Sequence, residues 1–372
     1  MSMCKKIVFG LVTACVLSLF PVSGNCAPAD CQLFVSVIQD PPVLSSRESI
    51  NRLIDFAKRA NVKVIFVQVY RANRSWFPCT LADPGPFLEC RKSIGDDPLE
   101  LFIDSAHAAG IQVHAWLNLL SLSANKDAPI LKKYGVSILT RNKKKKRKLE
   151  DYLIDKQYFL EPGDTRVREE LSGVVEELLL QYQKLDGIQF DYIRYPDSHP
   201  FYGYTEMNMA RFRKANGGAS IKESSPAWKD WKRRQVTEFL EMLAARCRRL
   251  KPGIQVSVTG CVPFSRAYLE AYQDWPSWVN SGSVDFVTVM SYSQQPSEFE
   301  KYIAEAKSKV NDSRKLNFAV GAYELAGLPQ VFQEELRACE REECRGFVVL
   351  HYGSLLENPA LADLLPNYSH SR

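Results

Sequence analysis

The sequence has no long apolar run after its first 29 residues and no strong excess of charge of either sign. No later stretch approaches the roughly 20 apolar residues that a membrane-spanning helix needs. Lysine and arginine total 48 against 43 aspartate and glutamate, and a net charge of +5 is too small to indicate a nucleic-acid partner. The 372-residue chain, with 24% charged residues, has the composition of a folded globular protein and not of a disordered, collagen-like or multi-span membrane protein.

Familiar catalytic signatures are absent as well. The sequence contains no HExxH, Walker, GxSxG or DFG-type motif. It also has no CxxC pair and no clustered histidines, which weighs against zinc as the reason for its cysteines. The chemistry therefore has to be sought among isolated side chains placed by the fold.

The first 29 residues predict a secretory signal peptide. Two lysines precede an apolar run over residues 7–20, and a small-x-small triplet follows at 27–29. We therefore expect export to the periplasm or cell envelope, with residues 30–372 as a single domain and with the oligomeric state left open. Residues 12–15 also resemble the box at which bacterial lipoproteins are cut and acylated, so membrane anchoring through a lipidated Cys15 is the alternative.

Cleavage after residue 29 would leave seven cysteines. An oxidising compartment permits disulfides. Cys79 and Cys90 flank a loop that contains proline and glycine, and we expect them to pair. The odd number leaves at least one thiol free or bonded to another chain.

Eight short runs rich in valine, isoleucine and phenylalanine predict strands covered on both faces. Between them, apolar residues recur at helical spacing, and Ser46 and Asp164 are suited to cap two of the helices. Eight strand-then-helix units predict an α/β fold, the (β/α)8 TIM barrel. A doubly wound sheet is the alternative, but residues 39–42 are not the glycine-rich phosphate turn that usually follows its first strand. The predicted strands are 33–38, 63–70, 111–117, 187–192, 254–259, 284–290, 316–322 and 346–351.

Two long loops, residues 71–98 and 121–165, follow the second and third predicted strands. Both leave the C-terminal ends of strands, where barrel enzymes build their sites. The second loop contains a polybasic run at 141–148. This run is either a solvated loop or a positively charged rim for an anionic polymer, such as a glycan that bears carboxylates.

Polar residues at the predicted strand ends are the candidates for a binding site. They are aromatics, amides, arginines and a few carboxylates, a combination that fits sugar binding, since aromatic faces pack on pyranose rings while amides and carboxylates bind hydroxyls. Packing, turn closure and ion pairing are the structural alternatives. The candidate substrate-binding residues are Gln68, Tyr70, Arg71, Trp116, Asn118, Arg194, Tyr195, Tyr292, Tyr323 and His351.

The most informative segment is DGIQFDYIRYP at residues 186–196. Asp186 lies at the N-terminal end of the predicted strand, where a structural role is expected. Asp191 lies at the C-terminal end and is either ion-paired with Arg194 or the nucleophile, base or charge stabiliser at a cleaved glycosidic bond. Such cleavage usually needs a second carboxyl group, for which Glu324 and Glu161 are the candidates, unless they only bind backbone amides in loops. This chemistry implies no metal and no cofactor.

Residues 186–196, together with 67–70, 111–118 and 160–163, resemble the family-10-like glycosyl hydrolase proteins. These are envelope-associated bacterial barrels typified by an enzyme that cuts peptide-free peptidoglycan strands. The resemblance runs from the first strand to about Tyr292. It implies an exported glycoside hydrolase whose polysaccharide substrate is an N-acetylhexosamine-containing envelope glycan, with a non-catalytic carbohydrate-binding barrel as the alternative.

The chain departs from this family at three positions. Tyr192 stands where the family commonly has a second aspartate, Glu161 where it tends to have asparagine or aspartate, and Tyr70 where it tends to have arginine. A fainter similarity links the 186–191 and 289–292 segments to chitinase-type barrels. The glutamate that serves those enzymes as acid has no counterpart here, which argues against direct chitinase chemistry and stays compatible with an N-acetyl sugar.

Overall fold

The computed structural model describes residues 30–144, 146, 148–342 and 344–365. Within them, eight parallel strands close into a barrel surrounded by helices, which confirms the predicted (β/α)8 TIM barrel. The predicted signal peptide and Cys15 lie outside the described residues. Among the helices that are described, none is long and apolar enough to cross a membrane.

The barrel strands follow one another around the ring in chain order. Each lies over one of the eight predicted runs, with bounds shifted by a few residues. The ring closes because β1 pairs in parallel with both β2 and β9, while β3 is only a short antiparallel partner of β2. The strands are β1 (Asp30–Val35), β2 (Val64–Arg71), β3 (Arg74–Ser75), β4 (Gln112–Asn118), β5 (Gly187–Asp191), β6 (Gln255–Gly260), β7 (Phe286–Val289), β8 (Leu316–Gly321) and β9 (Gly346–Leu350).

The helices bury their apolar faces against the outside of the barrel. Two of them begin at the predicted caps, where Ser46 accepts the backbone N–H of Ser49 at 3.0 Å and Asp164 accepts that of Arg166 at 2.9 Å. The described helices are α1 (Arg47–Arg59), α2 (Gly85–Ile94), α3 (Pro98–Ala108), α4 (Pro129–Tyr134), α5 (Thr165–Gln181), α6 (Glu206–Ala215), α7 (Pro226–Leu250), α8 (Phe264–Leu269), α9 (Trp275–Asn280), α10 (Pro296–Lys309), α11 (Pro329–Arg341), α12 (Tyr352–Glu357) and α13 (Pro359–Ala362).

Three long connections leave the C-terminal ends of strands. Two are the predicted loops, and the structure adds a third, residues 192–225, which joins β5 to α7 and contains α6. The loop after β4 contains the polybasic run, which therefore belongs to the face of the barrel where TIM-barrel enzymes build their sites.

The barrel interior is filled by side chains stacked in layers. Near the N-terminal ends of the strands, Gln32 and Asn317 exchange two amide hydrogen bonds of 3.0 Å. Above them His114 packs against the rings of Phe66 and Phe286. Gly187 makes room for this ring, since a Cβ at Gly187 would come within 2.3 Å of it.

His114 has no hydrogen-bond partner for either ring nitrogen among the described residues. Burial lowers the pKa of its imidazole to about 3, so the ring is neutral at physiological pH. The surroundings of His114 are therefore apolar, while elsewhere in the interior the Ser257 hydroxyl donates to Gln189 Oε1 at 2.6 Å.

The predicted disulfide between Cys79 and Cys90 is not formed. Both residues are free thiols in the structure. Cys79 makes a hydrogen bond with Glu177 on α5. Burial is the larger cause and this hydrogen bond the second cause that raise the pKa of Cys79 to about 12. Cys90 lies instead on the buried side of α2. The spacing of the two cysteines carried no information about the directions of their side chains.

Candidate active site

Asp191 is the last residue of β5, and its carboxylate is held by three donors. The indole Nε1 of Trp116 donates to Oδ2 at 3.2 Å, while the hydroxyl of Thr259 and the backbone N–H of Tyr192 donate to Oδ1 at 2.6 and 2.7 Å. The residue is 6% exposed. Because every partner donates, the side chain is satisfied as an anionic acceptor in a fixed orientation.

The backbone turns sharply immediately after Asp191. Tyr192 has φ of 56°, in the left-handed region that a tyrosine rarely adopts. This turn brings the Tyr192 N–H back onto the carboxylate of the preceding residue. The Tyr192 ring packs 6.2 Å from that of Phe159, and the guanidinium of Arg194 lies 4.7 Å from its centre. Backbone strain of this kind clusters at functional sites.

A pair of amides lies beside Asp191. Asn118, the last residue of β4, is in register with Asp191, and its Oδ1 accepts the Nε2 of Gln68 at 2.9 Å. The Oε1 of Gln68 in turn accepts the hydroxyl of Ser36 at 3.2 Å. We call the interior end lined by Gln68, Asn118, Asp191 and Thr259 the mouth of the barrel.

Trp116 contributes to the mouth and to the core together. Its ring centre lies 4.8 Å from that of Phe34 inside the barrel, and the residue is 7% exposed. Its indole N–H nevertheless ends on Asp191. The two roles considered for this residue, core filling and site formation, therefore coexist.

Tyr292, Tyr323 and Glu324 extend the site toward β7 and β8. Burial, and after it the negative charge of Asp191, raises the pKa of Tyr292 well above its usual value. The Tyr292 ring meets that of Tyr323 edge-on at 5.7 Å, and the Tyr323 hydroxyl donates to Glu324 at 2.8 Å. Tyr323 is 46% exposed and Glu324 is half-buried. Tyr292, which senses the charge of Asp191, is thus joined by ring contact and hydrogen bond to one of the two candidates for the second carboxylate.

Glu161, the other candidate, is fully buried. It accepts hydrogen bonds from the hydroxyl of Tyr195, the hydroxyl of Thr140 (2.9 Å) and the backbone N–H of Gly163 (3.2 Å). Burial raises the pKa of Glu161 in spite of these three donors. Glu161 and Tyr195 therefore connect the loops after β4 and β5 and have no surface of their own.

Two further predicted residues are also engaged within the protein. Tyr70 is fully buried in the core outside the barrel, where its hydroxyl accepts Asn73 Nδ2 at 2.9 Å, because the register shifts between Gln68 and Tyr70. Arg194 pairs with Asp197 at 2.8 Å and makes no ion pair with Asp191.

The remaining two predicted residues stand at the edge of the site. Arg71 is half-buried and has no ion pair with any described residue. Burial raises the pKa of Tyr192, and the charges of Arg194 and, more weakly, Arg71 oppose this rise, which places Arg71 on the same side of the barrel. His351 caps α12 by accepting the Ser354 N–H at 3.3 Å, and burial lowers its pKa.

Sequence reasoning missed Thr259 and Ser36. Neither residue is charged or aromatic, so neither attracted attention at a strand end. The alternation of side chains along β6 could have identified Thr259, since Ser257 and Thr259 are two residues apart and both hydroxyls face the barrel interior.

Metal-ligating side chains are not grouped at the mouth. In the part of the chain that is described, no three histidine, cysteine, aspartate or glutamate residues are close enough to hold a metal ion. The partners of Asp191 are an indole N–H, a hydroxyl and a backbone N–H. Such donors stabilise an anion and do not complete a cation site.

Curated proteins similar to this chain include glycosyl hydrolases. The chain is 23% identical over 257 residues to glycosyl hydrolase DigH of Escherichia coli strain K12, an alignment that covers 64% of this chain and 56% of that protein. The chain therefore spans about half the length of the curated relatives it matches.

Solved structures share the fold. The catalytic domain of β-amylase from Paenibacillus polymyxa superimposes with a TM-score of 0.60 at 14% identity, covering 93% of this chain and 99% of that one. A β-galactosidase from Marinomonas ef1 also gives a TM-score of 0.60, at 12% identity, covering 87% of this chain and 54% of that one. At these identities the likeness shows the barrel alone.

The family itself is shown by a match over most of the chain. Residues 35–331 fit the model of a family described as glycosyl hydrolase-like 10. The matched region begins in β1 and includes Asp191, Tyr292 and Glu324, so it contains the mouth and its extension toward β8. The resemblance inferred from the sequence is confirmed, and the chain belongs to the glycosyl hydrolase-like 10 family.

Proposed function

We propose that this protein is an exported glycoside hydrolase that cleaves glycosidic bonds in an N-acetylhexosamine-containing envelope polysaccharide, such as the glycan strands of peptidoglycan. The observation that carries the proposal is the fixed Asp191 carboxylate at the end of the fourth barrel strand, beside the Gln68–Asn118 amides. Family membership and the name of the relative in E. coli support the reaction class.

Asp191 is suited to act as nucleophile or charge stabiliser. Glycosidic cleavage passes through an oxocarbenium-like transition state, which a nearby carboxylate stabilises or attacks. The three donors to Asp191 hold its carboxylate in one orientation before substrate arrives. Preorganisation of this kind reduces the cost of reorientation during the reaction.

Glu324 is the better candidate for the general acid. It is half-buried at the end of the Tyr292–Tyr323 pair, and the Tyr323 hydroxyl fixes one of its oxygens at 2.8 Å. Glu161, in contrast, has no exposed surface through which a substrate could reach it. We therefore assign proton donation to Glu324 and a supporting role to Glu161.

Asp191→Asn tests the assignment directly. The substitution keeps the shape of the side chain and removes its charge, so the release of reducing ends from peptide-free peptidoglycan strands should fall on the order of a thousandfold or more. Thermal unfolding and binding to insoluble peptidoglycan should change little. Turnover by Asp191→Asn equal to that of the unaltered protein would reject Asp191 as the reacting group.

A carbohydrate-binding barrel without turnover is the second candidate. It is favoured by the complete burial of Glu161, which leaves Glu324 as the sole predicted partner carboxylate with any exposed surface. The discriminating measurement pairs a pull-down on insoluble peptidoglycan with a reducing-sugar assay. Retention without new reducing ends from the unaltered protein would identify a binder.

A further inference from the structure

A cleft of about 490 Å³ opens between the loops that follow β4 and β5. We call it the basic cleft. Both loops leave the C-terminal ends of their strands, so the cleft lies on the same face of the barrel as Asp191. Its lining comes from the β4–α5 loop, the first turn of α5 and the start of α6, and consists of Val136, Ser137, Leu139, Arg141, Lys146, Tyr152, Arg166, Thr205, Glu206 and Met207.

The basic cleft is tied to the mouth through Glu161. Thr140, which precedes Arg141 of the lining, donates its hydroxyl to Glu161, and Glu161 also accepts the hydroxyl of Tyr195. Tyr195 lies on the segment that follows Asp191. The N–H of Tyr204 further binds the carbonyl of Arg141 at 3.0 Å, joining the two loops at the cleft. Hydrogen bonds thus join the loops that form the cleft to the segment that follows Asp191.

The charges of the lining are predominantly positive. Arg141, Lys146 and Arg166 face one lining carboxylate, that of Glu206. Arg166 is already held by the buried Asp164 through two hydrogen bonds of 3.0 and 2.6 Å. Lys146 has no anionic partner among the described residues.

Arg141 donates to the carbonyl of Asn142 at 3.0 Å, and its one ion pair with a described residue is one that a ligand can replace. Its guanidinium is paired with Glu206 at 3.0 Å, and the Glu206 side chain is 84% exposed. Exposed ion pairs of this kind contribute little free energy. An incoming anion can therefore take the place of Glu206 on Arg141, with Lys146 of the same lining as a second positive charge.

The rest of the lining is suited to a sugar ring. Val136, Leu139 and Met207 provide apolar surface, Tyr152 adds an aromatic side chain, and Ser137 and Thr205 add hydroxyls. The volume lies in the range of clefts that hold small ligands. A planar guanidinium fork matches the geometry of a carboxylate.

We infer that the basic cleft binds a carboxylate-bearing sugar residue of the glycan that crosses the mouth. The inference deepens the proposed function and rests on it for the identity of the polymer. It names acidic polysaccharides as the substrate class. It also assigns a role to the polybasic run, since Lys146 belongs both to this run and to the cleft lining and would bind the carboxylate.

Binding to the Asp191→Asn variant tests the cleft independently of turnover. The probes are peptide-free peptidoglycan strands, which bear lactyl carboxylates, and the same strands after chemical reduction of those carboxyls. The unreduced strands should bind at least about fivefold more tightly, because a charged hydrogen bond is lost on reduction. Equal affinity for the two probes would overturn the inference.

Single substitutions locate the effect. Lys146→Gln should weaken binding of the unreduced strands about fivefold, and Glu206→Gln should strengthen it by freeing Arg141. Lys144→Gln is the matched control, since Lys144 is exposed in the same loop and does not line the cleft. An equal loss from Lys144→Gln and Lys146→Gln would reject a defined site in favour of diffuse attraction.

An oligogalacturonate, with its carboxylate on the ring, separates the two proposals. If it binds in a Lys146-dependent manner and more tightly than the peptidoglycan strands, the cleft is supported and the proposed peptidoglycan substrate is rejected. If the unaltered protein releases reducing ends from peptide-free strands while Lys146→Gln binds them normally, the hydrolase stands and the cleft is rejected.

Discussion

The two ends of strand β5 carry the same residue type in different surroundings. Asp186, just before the strand, accepts the backbone N–H of Val113 at 2.7 Å and contacts the His107 imidazole at 2.9 Å. These contacts connect the start of β5 to β4 and α3. Asp191, at the other end, accepts donors that belong to the mouth.

Under the proposed function, the two carboxylates are expected to differ in role according to their position along the strand. At the N-terminal end the carboxylate binds groups of the scaffold, and its removal should cost stability. At the C-terminal end the carboxylate is held by an indole and a hydroxyl beside the amides of the mouth, and its removal should cost turnover. Three further experiments test whether effects on stability and effects on turnover belong to different ends of the barrel.

The largest effect is expected from Thr259→Val. Valine has the shape of threonine but cannot donate to Asp191, so the carboxylate loses its 2.6 Å partner and its fixed orientation. We expect kcat to fall about 10- to 100-fold with little change in KM. Thr288→Val, one strand away and 3.5 Å from Gln189, is the matched control and should keep kcat. Equal losses from both variants would show that Thr259 acts through packing alone.

Asp186→Ala should destabilise the fold without altering the chemistry. The substitution leaves the Val113 N–H without its acceptor and removes the contact with His107. We expect the free energy of unfolding in urea to fall by about 2 kcal/mol. The kcat of the folded fraction should be unchanged. A loss of kcat at unaltered stability would mean that the two ends of β5 are coupled.

His114→Leu should weaken the pH dependence of the free energy of unfolding, an effect smaller than that of Asp186→Ala. The folded-state pKa of His114 is about 3, below the unfolded value of about 6.5. The unfolded chain therefore binds the extra proton below pH 6.5, and stability falls as the pH drops from 6.5 toward 3.

The measurement is urea unfolding at pH 6.5 and pH 5.5. The contribution of His114 to the drop should be about 1 kcal/mol, and the leucine variant should lack it. The same pH dependence in both proteins would show that other groups dominate. This outcome would also contradict the burial of a neutral His114 among apolar side chains.

The barrel could be predicted because its strands are buried on both faces. Continuous valine, isoleucine and phenylalanine fix each strand within a few residues, and the helices between them show helical spacing. β1 begins at Asp30, three residues before the predicted start, because the polar residues at its beginning do not show the apolar pattern used for the prediction. Gln32 nevertheless faces the interior and finds Asn317 on β8, a pairing across the ring that local patterns do not contain.

The loops and parts of the site could not be predicted from local patterns. The helix α6 is short and buries only Asn208 and Phe212, so its apolar pattern is too sparse to identify. Alternation along β2 predicts that Tyr70 faces the barrel interior like Gln68, but the register shift after Gln68 places it in the core outside the barrel. The left-handed turn at Tyr192 gives no signal in the sequence, since tyrosine has no preference for it.

Ring closure has a consequence for biosynthesis. β1 pairs with β9, with Asp30 opposite Gly346, so the barrel cannot close until β9 has been synthesised. Until then β1 and β8 each present an unpaired edge, a surface prone to aggregation. Pairing with β9 covers both edges together.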